Sequence, residues 1–318
     1  MKKKPKKILY REWGIKWLEY KKDYIKESNY ANYSNIMYNH LIPDFNTTYL
    51  SDINHEMLQD YILKKLNHGS IDNSSLSQKS VKDIMMVLKN SLKYAMNLQI
   101  IPQVNLEFKY PKINKKSKIY ILSKREQKKI TQYILEKPTP RSIGILISLY
   151  SGMRIGEICA LKWSDIDLKN NIIHVNKTLQ RVYLKDSNND ITSSIVVSTP
   201  KTLTSNRDIP MNKEFADIIK PLKINSKYYV LTSTIDCLEP RAYRKYFASM
   251  LKKLKIKHIN FHSLRHTFAT NCINLGVDYK TVSELLGHSD INITLNLYVH
   301  PNLSQKKRCM NIIWKNHC

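Results

Sequence analysis

The sequence predicts a mainly helical protein with a small antiparallel β-sheet in its second half. Two observations support this fold class. Apolar residues recur at steps of three and four over most of the first hundred residues, and short alternating segments separated by Asn and Asp occur between residues 172 and 210. The chain has 318 residues, which is longer than a typical single domain, so we expect two domains.

Four amphipathic helices are predicted in the first half. The first carries an apolar face formed by Leu9, Trp13, Trp17, Tyr20 and Tyr24. The other three cover residues 30–41, ending before Pro43, residues 55–67, ending before Gly69, and residues 81–95. Because helices of this length are marginal alone, we expect them to pack as one bundle with Lys-rich outer faces.

A basic segment without an apolar periodicity follows these helices. It covers residues 105–118 and contains Pro111 and five lysines: Lys109, Lys112, Lys115, Lys116 and Lys118. A solvated loop is the common meaning of such a charge run. Since this one lies between two basic halves, we interpret it as a linker.

Helices and a few strands are predicted in the second half. A capping-box pattern at residues 123–126 starts a helix, and a second helix is expected over residues 139–150. Strands are predicted around residues 172–175, 194–198 and 207–210. The remaining helices are predicted over residues 212–222, 239–254, 262–275 and 279–286 and, as a short one, after Pro301.

The charge balance indicates a polyanionic partner. The chain has 52 Lys and Arg against 26 Asp and Glu, a formal net charge of +26, which is far more than solubility requires. Its most apolar stretch, residues 145–149, is far too short to cross a bilayer, and no apolar segment follows the basic N-terminus as in a signal peptide. We therefore expect a cytoplasmic protein that binds nucleic acid, with the linker lysines following a strand.

The cysteines give no sign of a metal site or of disulfides. There are five of them, and no two form a C-x-x-C pair. This spacing argues against a zinc ribbon and against a disulfide framework. Reduced thiols are also what a cytoplasmic protein is expected to have.

Two clusters of cationic and small residues come first in the second half. In residues 151–157, the glycines leave room for Arg154 to meet a phosphate at close range, although an ordinary helix C-terminus explains the same pattern. The second cluster, residues 199–202, places Lys201 on a hairpin between two predicted strands. A lysine in such a position is usually only solvated, so its interpretation depends on the other clusters.

The other two clusters contain histidines. The i, i+3 spacing of His262 and Arg265 places both on one helical face, where one phosphate could meet them. The alternative is a metal pair, His262 with His266, completed by His288; no Glu follows His262 as a base, and an arginine beside a dication is unfavourable. The last cluster contains His288 and, ten residues later, Tyr298. A tyrosine on an amphipathic helix usually belongs to the core, and this chain has 20 tyrosines.

In this order, the four clusters resemble the signature of the tyrosine recombinases, which include the phage and conjugative-transposon integrases. That signature is Arg, Lys, His-x-x-Arg, His or Trp, and Tyr; the likeness is close in the second half and loose in the first. It implies a catalytic set formed by Arg154, Lys201, His262, Arg265, His288 and Tyr298. It further implies that Glu157 orients an arginine, with Tyr279 as the weaker alternative nucleophile.

The resemblance implies an enzyme that cleaves and rejoins DNA through a 3′-phosphotyrosyl intermediate, with no metal or nucleotide cofactor. Arg154 and Arg265 would stabilise the charge that builds on the phosphate. His262 would be the base for Tyr298, and Lys201 the acid for the leaving 5′ oxygen. We expect it to serve the integration or excision of a mobile element.

The resemblance also implies a domain organisation. We expect a basic tail at residues 1–7, a helical core-binding (SAM-like) DNA-binding domain at 8–104, the basic linker at 105–120 and an α+β catalytic domain at 121–318. The two domains would close round double-stranded DNA. Since only seven residues precede Ile8, we do not expect a separate arm-binding domain.

The expected partners follow from the same resemblance. We expect a homotetramer on DNA, an excision or directionality factor as a further partner, and a place at the bacterial nucleoid. A C-terminal helix would dock on a neighbouring subunit or pack within its own subunit through Leu303, Met310, Ile313 and Trp314. The alternatives are a DNA-binding relative without catalysis, a type IB topoisomerase and an RNA-binding helical protein.

Overall fold

A computed structural model describes residues 7–69, 74–112, 120–185, 190–199, 206–298, 307 and 310–311. The chain divides into two compact units. The first comprises Met1–Lys116 with Val182–Ser194, and the second comprises Ser117–Arg181 with Ile195–Cys318. Among the described residues, helices dominate and the strands are short and antiparallel. The predicted fold class is therefore confirmed.

The described part of the first unit is a helical bundle. Its helices are α1 (Tyr10–Lys22), α2 (Glu27–Ile36), α3 (Ile42–Phe45), α4 (His55–His68) and α5 (Gln78–Asn97). The apolar faces predicted from the sequence line its core, where Trp17 of α1 and Leu88 and Leu92 of α5 are fully buried. Burial of these faces, rather than intrinsic helix propensity, stabilises helices of this length.

The predicted end of the second helix before Pro43 is wrong. After α2, Met37–Leu41 form a π-helical turn, and α3 continues through Pro43 as far as Phe45. Pro43 lies in the first turn of α3. A proline is tolerated there because a first-turn N–H has no partner within the helix.

Residues that follow α5 pack on the first unit, although the sequence placed the start of a linker at residue 105. Leu106 is 6% exposed and belongs to the core of this unit. The side chain of Gln59 donates to the carbonyl of Lys109 at 2.9 Å and accepts from its N–H at 3.1 Å. The side chain of Gln78 donates to the carbonyl of Pro111 at 2.7 Å. The predicted linker residues Lys115, Lys116 and Lys118 lie outside the described part of the chain.

The second unit contains the other helices. They are α6 (Lys124–Glu136), α7 (Pro140–Ser151), α8 (Ile155–Ala160), α9 (Lys213–Ile219), α10 (Pro240–Lys253), α11 (His262–Asn274), α12 (Tyr279–Leu286) and α13 (Ile291–Tyr298). The predicted capping box of Ser123 and Glu126 starts α6. Helix α7 is buried on almost all sides, as its apolar sequence requires, and it ends at Gly152.

The strands form two sheets instead of the single sheet expected. They are β1 (Ile166–Asp167), β2 (Ile172–Val175), β3 (Thr178–Lys185), β4 (Ile191–Ser198) and β5 (Arg207–Pro210). One antiparallel sheet has the order β1-β2-β5, and β3 pairs with β4 in a separate ribbon. The sequence missed β3 because its apolar residues do not alternate.

The described strands on either side of Lys201 belong to different sheets. β4 pairs with β3, whereas β5 pairs with β2, so the segment between β4 and β5 joins two sheets. Lys201 itself lies outside the described residues, as do Leu303, Ile313 and Trp314 of the proposed C-terminal face. Met310 is described and exposed. Within the described chain, no helix has both the length and the hydrophobicity that crossing a bilayer requires.

Candidate active site

Arg154 lies at the turn between α7 and α8. The turn begins at Gly152, whose φ of 67° is left-handed, and Arg154 is the N-cap residue of α8. A Cβ at position 152 would lie 2.6 Å from Cδ1 of Phe268 and 2.7 Å from Cδ2 of Leu286. Backbone conformation and packing therefore both require glycine here, and the turn fixes where Arg154 emerges.

The guanidinium of Arg154 is held by three acceptors. Its Nη1 donates to Oε1 of Glu157 at 2.9 Å and to the carbonyl of Leu286 at 3.3 Å, and its Nη2 donates to the carbonyl of Gly287 at 3.1 Å. The side chain nevertheless keeps 36% of its exposure. Arg154 is thus oriented before any ligand arrives and is still accessible to one.

Glu157 is buried between two arginines. Arg207 donates to both of its oxygens, from Nη1 to Oε1 at 3.1 Å and from Nη2 to Oε2 at 2.8 Å. Burial by itself raises the pKa of the Glu157 carboxyl, but the hydrogen bonds and charge of Arg207 and the charge of Arg154 outweigh burial, so the pKa lies below its ordinary value. Glu157 is therefore a carboxylate at neutral pH.

Arg265 lies on α11 and reaches the same turn. Its side chain is 1% exposed, and its Nη1 donates to the carbonyl of Gly152 at 2.9 Å. Gly152 is two residues before Arg154, so one turn of the backbone brings together the two arginines predicted from the sequence.

The histidines predicted from the sequence lie within the field of these arginines. Burial first, then His266, Arg265 and Arg154, lower the pKa of His262 to about 4. Burial first, then Arg265 and Arg154, lower the pKa of His288 to about 3. Both imidazoles are therefore neutral at neutral pH and can accept or donate a proton in a hydrogen bond.

His288 is linked to the helix that carries the predicted nucleophile. It follows Gly287, the left-handed C-cap of α12, and its Nδ1 lies 2.8 Å from Oγ1 of Thr294. Thr294 is fully buried on α13, whose last residue is Tyr298. The side chain of Tyr298 lies outside the described part of the structure.

Five of the predicted residues come together in the described structure: Arg154, Glu157, His262, Arg265 and His288. The rings of His262 and His266 meet edge to face with centroids 4.6 Å apart. No group of three or more His, Cys, Asp or Glu side chains suited to a metal ion occurs among the described residues. Of the lysines predicted to bind DNA, Lys109 and Lys112 are described, and both are exposed.

Arg207 is a site residue that was not predicted from the sequence. Its Nε donates to the carbonyl of Leu285 at 2.7 Å, and its side chain is 5% exposed. The residue belongs to a predicted strand, but its partner Glu157 lies fifty residues earlier in the chain. A long-range ion pair of this kind leaves no periodic signal in the sequence; the presence of an arginine in a short strand was the available hint.

The family matches cover both halves of the chain. The phage integrase family matches residues 118–305, and the N-terminal SAM-like domain of phage integrases matches residues 9–66. The first match spans more than half of the 318 residues, so the chain belongs to the phage integrase family, the tyrosine recombinases. The predictions of this family, and of an enzyme class that transfers DNA strands, are therefore confirmed.

Named relatives agree with the family. The chain is 28% identical over 287 residues to a "Tyrosine recombinase XerC-like" protein of Caldanaerobacter subterraneus subsp. tengcongensis, with 83% of this chain and 71% of that protein covered. It is 30% identical over 176 residues to the transposase from transposon Tn916 of Enterococcus faecalis, with 49% of this chain covered. That match covers 41% of the transposase, less than half of its length.

A solved structure has the same fold. The Tn1549 transposon integrase, in complex with a circular intermediate DNA, matches with a TM-score of 0.75 and 19% identity. The match covers 96% of this chain and 99% of that chain. At this identity the likeness concerns the fold.

Proposed function

We propose that this chain is a site-specific DNA recombinase that cuts and rejoins strands through a 3′-phosphotyrosyl bond to Tyr298, for the integration or excision of a mobile element. The observation that supports it most is the convergence of Arg154, Arg265 and two neutral histidines, from three separate helix ends, on one turn of the backbone. Enzymes catalyse phosphoryl transfer mainly through positioning and through positive charges that are fixed before the reaction.

The two arginines and His288 bind the phosphate in this proposal. Attack on a phosphodiester builds negative charge on its two non-bridging oxygens, and a guanidinium offers paired donors to such oxygens. Arg154 and Arg265 supply these donors. Nδ1 of His288 lies 2.8 Å from Oγ1 of Thr294. We assign Nδ1 as the acceptor in this contact, so that the neutral ring carries its proton on Nε2 and donates it in a hydrogen bond to a phosphate oxygen.

Tyr298, His262 and Lys201 move the protons. The phenolic oxygen of Tyr298 bonds to phosphorus while its proton passes to His262, which is neutral because its pKa is about 4. The bond from phosphorus to the 5′ oxygen breaks, and that oxygen takes a proton from Lys201. The products are a phosphotyrosyl diester and a 5′ hydroxyl. Since the new ester keeps the energy of the broken one, the 5′ hydroxyl of a second strand can reverse the step without a nucleotide or a metal.

The proposed partners are inferred from the net positive charge of the chain and from its membership of the phage integrase family. Double-stranded DNA is bound by a helical core-binding domain at residues 8–104 and a catalytic domain at 121–318, and the Tn1549 relative is itself seen with DNA. The lysines Lys109, Lys112, Lys115, Lys116 and Lys118 follow its backbone. We propose a homotetramer on DNA, an excision factor that sets direction, and action at the bacterial nucleoid.

A nicked suicide substrate carrying the recombination site tests the function. The nick lets the short 5′ strand diffuse away after cleavage, so the protein–DNA bond is trapped and survives denaturation. We expect an adduct with the wild-type chain, none with Tyr298→Phe, and unchanged DNA binding in that variant. Tyr279→Phe, the matched control, should form the adduct normally. An adduct retained by Tyr298→Phe contradicts the assignment.

A further inference from the structure

One of the two arginines that enclose Glu157 has no role in the chemistry described above. We propose that Arg207 is a positioning residue, which keeps Glu157 charged and ties Arg154 and the turn of His288 into one fixed arrangement. This inference rests on the proposed function, because Arg154 and His288 are the residues proposed to bind the phosphate.

Arg207 is placed to hold other residues rather than a substrate. The nitrogens of its guanidinium are engaged within the protein, Nη1 and Nη2 by Glu157 and Nε by the carbonyl of Leu285. It is the first residue of β5, and its backbone is paired with Val175 of β2. Its planar fork matches both oxygens of Glu157, a geometry that a lysine ammonium cannot reproduce.

The C-terminus of α12 binds both Arg207 and Arg154. Three successive carbonyls there accept from guanidinium nitrogens: Leu285 from Nε of Arg207 at 2.7 Å, then Leu286 and Gly287 from Arg154 at 3.3 and 3.1 Å. The last carbonyls of a helix have no partner within the helix and carry its negative end, so cations are favoured there. His288 is the next residue.

These contacts close a ring. Glu157 joins the two arginines to each other, and each arginine is joined to the end of α12. Loss of one guanidinium therefore loosens the other through the shared carboxylate. Arg207 acts on the phosphate site through Glu157 and Leu285, without touching the phosphate.

The charge of Glu157 makes this arrangement testable by pH. Its carboxyl interacts with Arg207 and Arg154, and its charge acts on His262. Glu157 also lines a small cavity with Asp165, His174 and Lys177. Lys177 is already paired with Asp165 at 2.7 Å. Without Arg207, burial, which raises the pKa of Glu157, is opposed mainly by Arg154. The pKa then rises, so the carboxylate is present at high pH and is lost as the pH falls through the raised value.

The experiment measures single-turnover adduct formation on the suicide substrate from about pH 5.5 to about pH 9, as a ratio to the wild-type rate at each pH. For Arg207→Met we expect a loss of about 10-fold at the alkaline end that grows to about 100-fold at the acid end. For Arg207→Lys, which keeps the charge but not the fork, we expect a loss of about 10-fold that does not change with pH.

Further variants test whether the pH dependence comes from the carboxylate of Glu157. Adding Glu157→Gln to Arg207→Met removes the titrating group, so the ratio to wild type should become independent of pH. Arg181→Met is the matched control, since it removes the Arg181–Glu239 pair from the same unit without touching Glu157. Its ratio to wild type should be flat and close to one. DNA binding and thermal melting show that each variant is folded.

Two results overturn the inference. The first is a ratio for Arg207→Met that is close to one, or reduced by the same factor at every pH. The second applies if Arg207→Met does not fold: wild-type rates in both Arg207→Lys and Glu157→Gln then overturn the inference. A wild-type chain that forms no adduct contradicts the proposed function, and that outcome is separate because the rate of every variant is expressed as a ratio to the wild-type rate.

Discussion

The imidazoles of His262 and His288 lie where protonation is unfavourable. An unperturbed histidine has a pKa of about 6.5. Burial, with the charges of Arg265 and Arg154, lowers the pKa to about 4 for His262 and to about 3 for His288. In the proposed mechanism, His262 can therefore receive the proton of Tyr298 without first losing one of its own.

This environment predicts that neither ring becomes protonated near neutral pH, which NMR can test. Between about pH 8 and about pH 5, the ring signals of His262 and His288 should stay at their neutral positions, assigned with His262→Gln and His288→Gln. The unfolded chain takes up these protons near its ordinary pKa and the folded chain does not, so the free energy of unfolding should fall as the pH drops below about 6.5. Midpoints near 6.5 in the folded protein contradict the described environment.

Gly152 is a second residue whose replacement has a defined outcome. Gly152→Ala places a methyl group 2.6 Å from Phe268 in a left-handed backbone, so we expect a loss of about 2–4 kcal/mol in the free energy of unfolding. The carbonyl that binds Arg265 should shift as well, and adduct formation should slow.

Gly276→Ala is the matched control for that change. Gly276 also has a positive φ, 88°, but its added Cβ meets nothing within 4 Å. We expect only the conformational cost, about 1 kcal/mol by chemical denaturation, with normal adduct formation. Equal losses in the two variants would show that the packing around Gly152 is unimportant.

Local spacing explains which site residues the sequence could reveal. His262 and Arg265 are one helical turn apart, and Arg154 lies beside glycines, so both signals are visible within a few residues. Arg207 could not be found this way, because its role depends on burial and on a carboxylate fifty residues away. The pairing of β3 with β4 was missed for a related reason, because strand pairing is a long-range property.

At the scale of elements, the site is assembled from helix ends. Arg154 caps the start of α8, His262 opens α11, and His288 follows the end of α12. The sequence predicted α11 and α12, but not α8, whose six residues are too few to show a periodic pattern. It did not predict the π-helical turn at Met37–Leu41, where the backbone hydrogen bonding changes without a change in the apolar pattern.

The contact between α12 and α13 predicts a role for Thr294. Thr294→Val keeps the volume but removes the hydroxyl bonded to Nδ1 of His288, so His288 loses its fixed orientation. We expect adduct formation to slow by about 10-fold, with DNA binding unchanged. Thr281→Val, at an exposed position of α12, is the matched control and should cleave normally. Equal rates in the two variants contradict this role.

At the scale of the whole molecule, charge dominates. A formal net charge of +26 favours a polyanion over any small ligand, and each phosphate contact releases counterions from DNA. Affinity should therefore depend steeply on salt, and the lysines after α5 should contribute to that dependence without entering the chemistry.

Neutralising two of these lysines tests whether they contribute to DNA binding without taking part in cleavage. For Lys109→Gln with Lys112→Gln, we expect weaker binding and a salt slope reduced by about 0.9 for each phosphate that the variant no longer neutralises. The cleavage rate of the bound complex should stay the same. A matched double change at the exposed Lys220 and Lys223 should alter the slope less. Slower cleavage within the bound complex of the Lys109 and Lys112 variant contradicts a purely binding role.

Esterification of one tyrosine to DNA is the step on which the proposed mechanism depends. Protease digestion of the trapped adduct, followed by mass spectrometry, identifies the residue that carries the nucleotide. We expect a single modified peptide, with the 3′-phosphate attached to the phenolic oxygen of Tyr298. Attachment to any other residue, Tyr279 included, contradicts the mechanism.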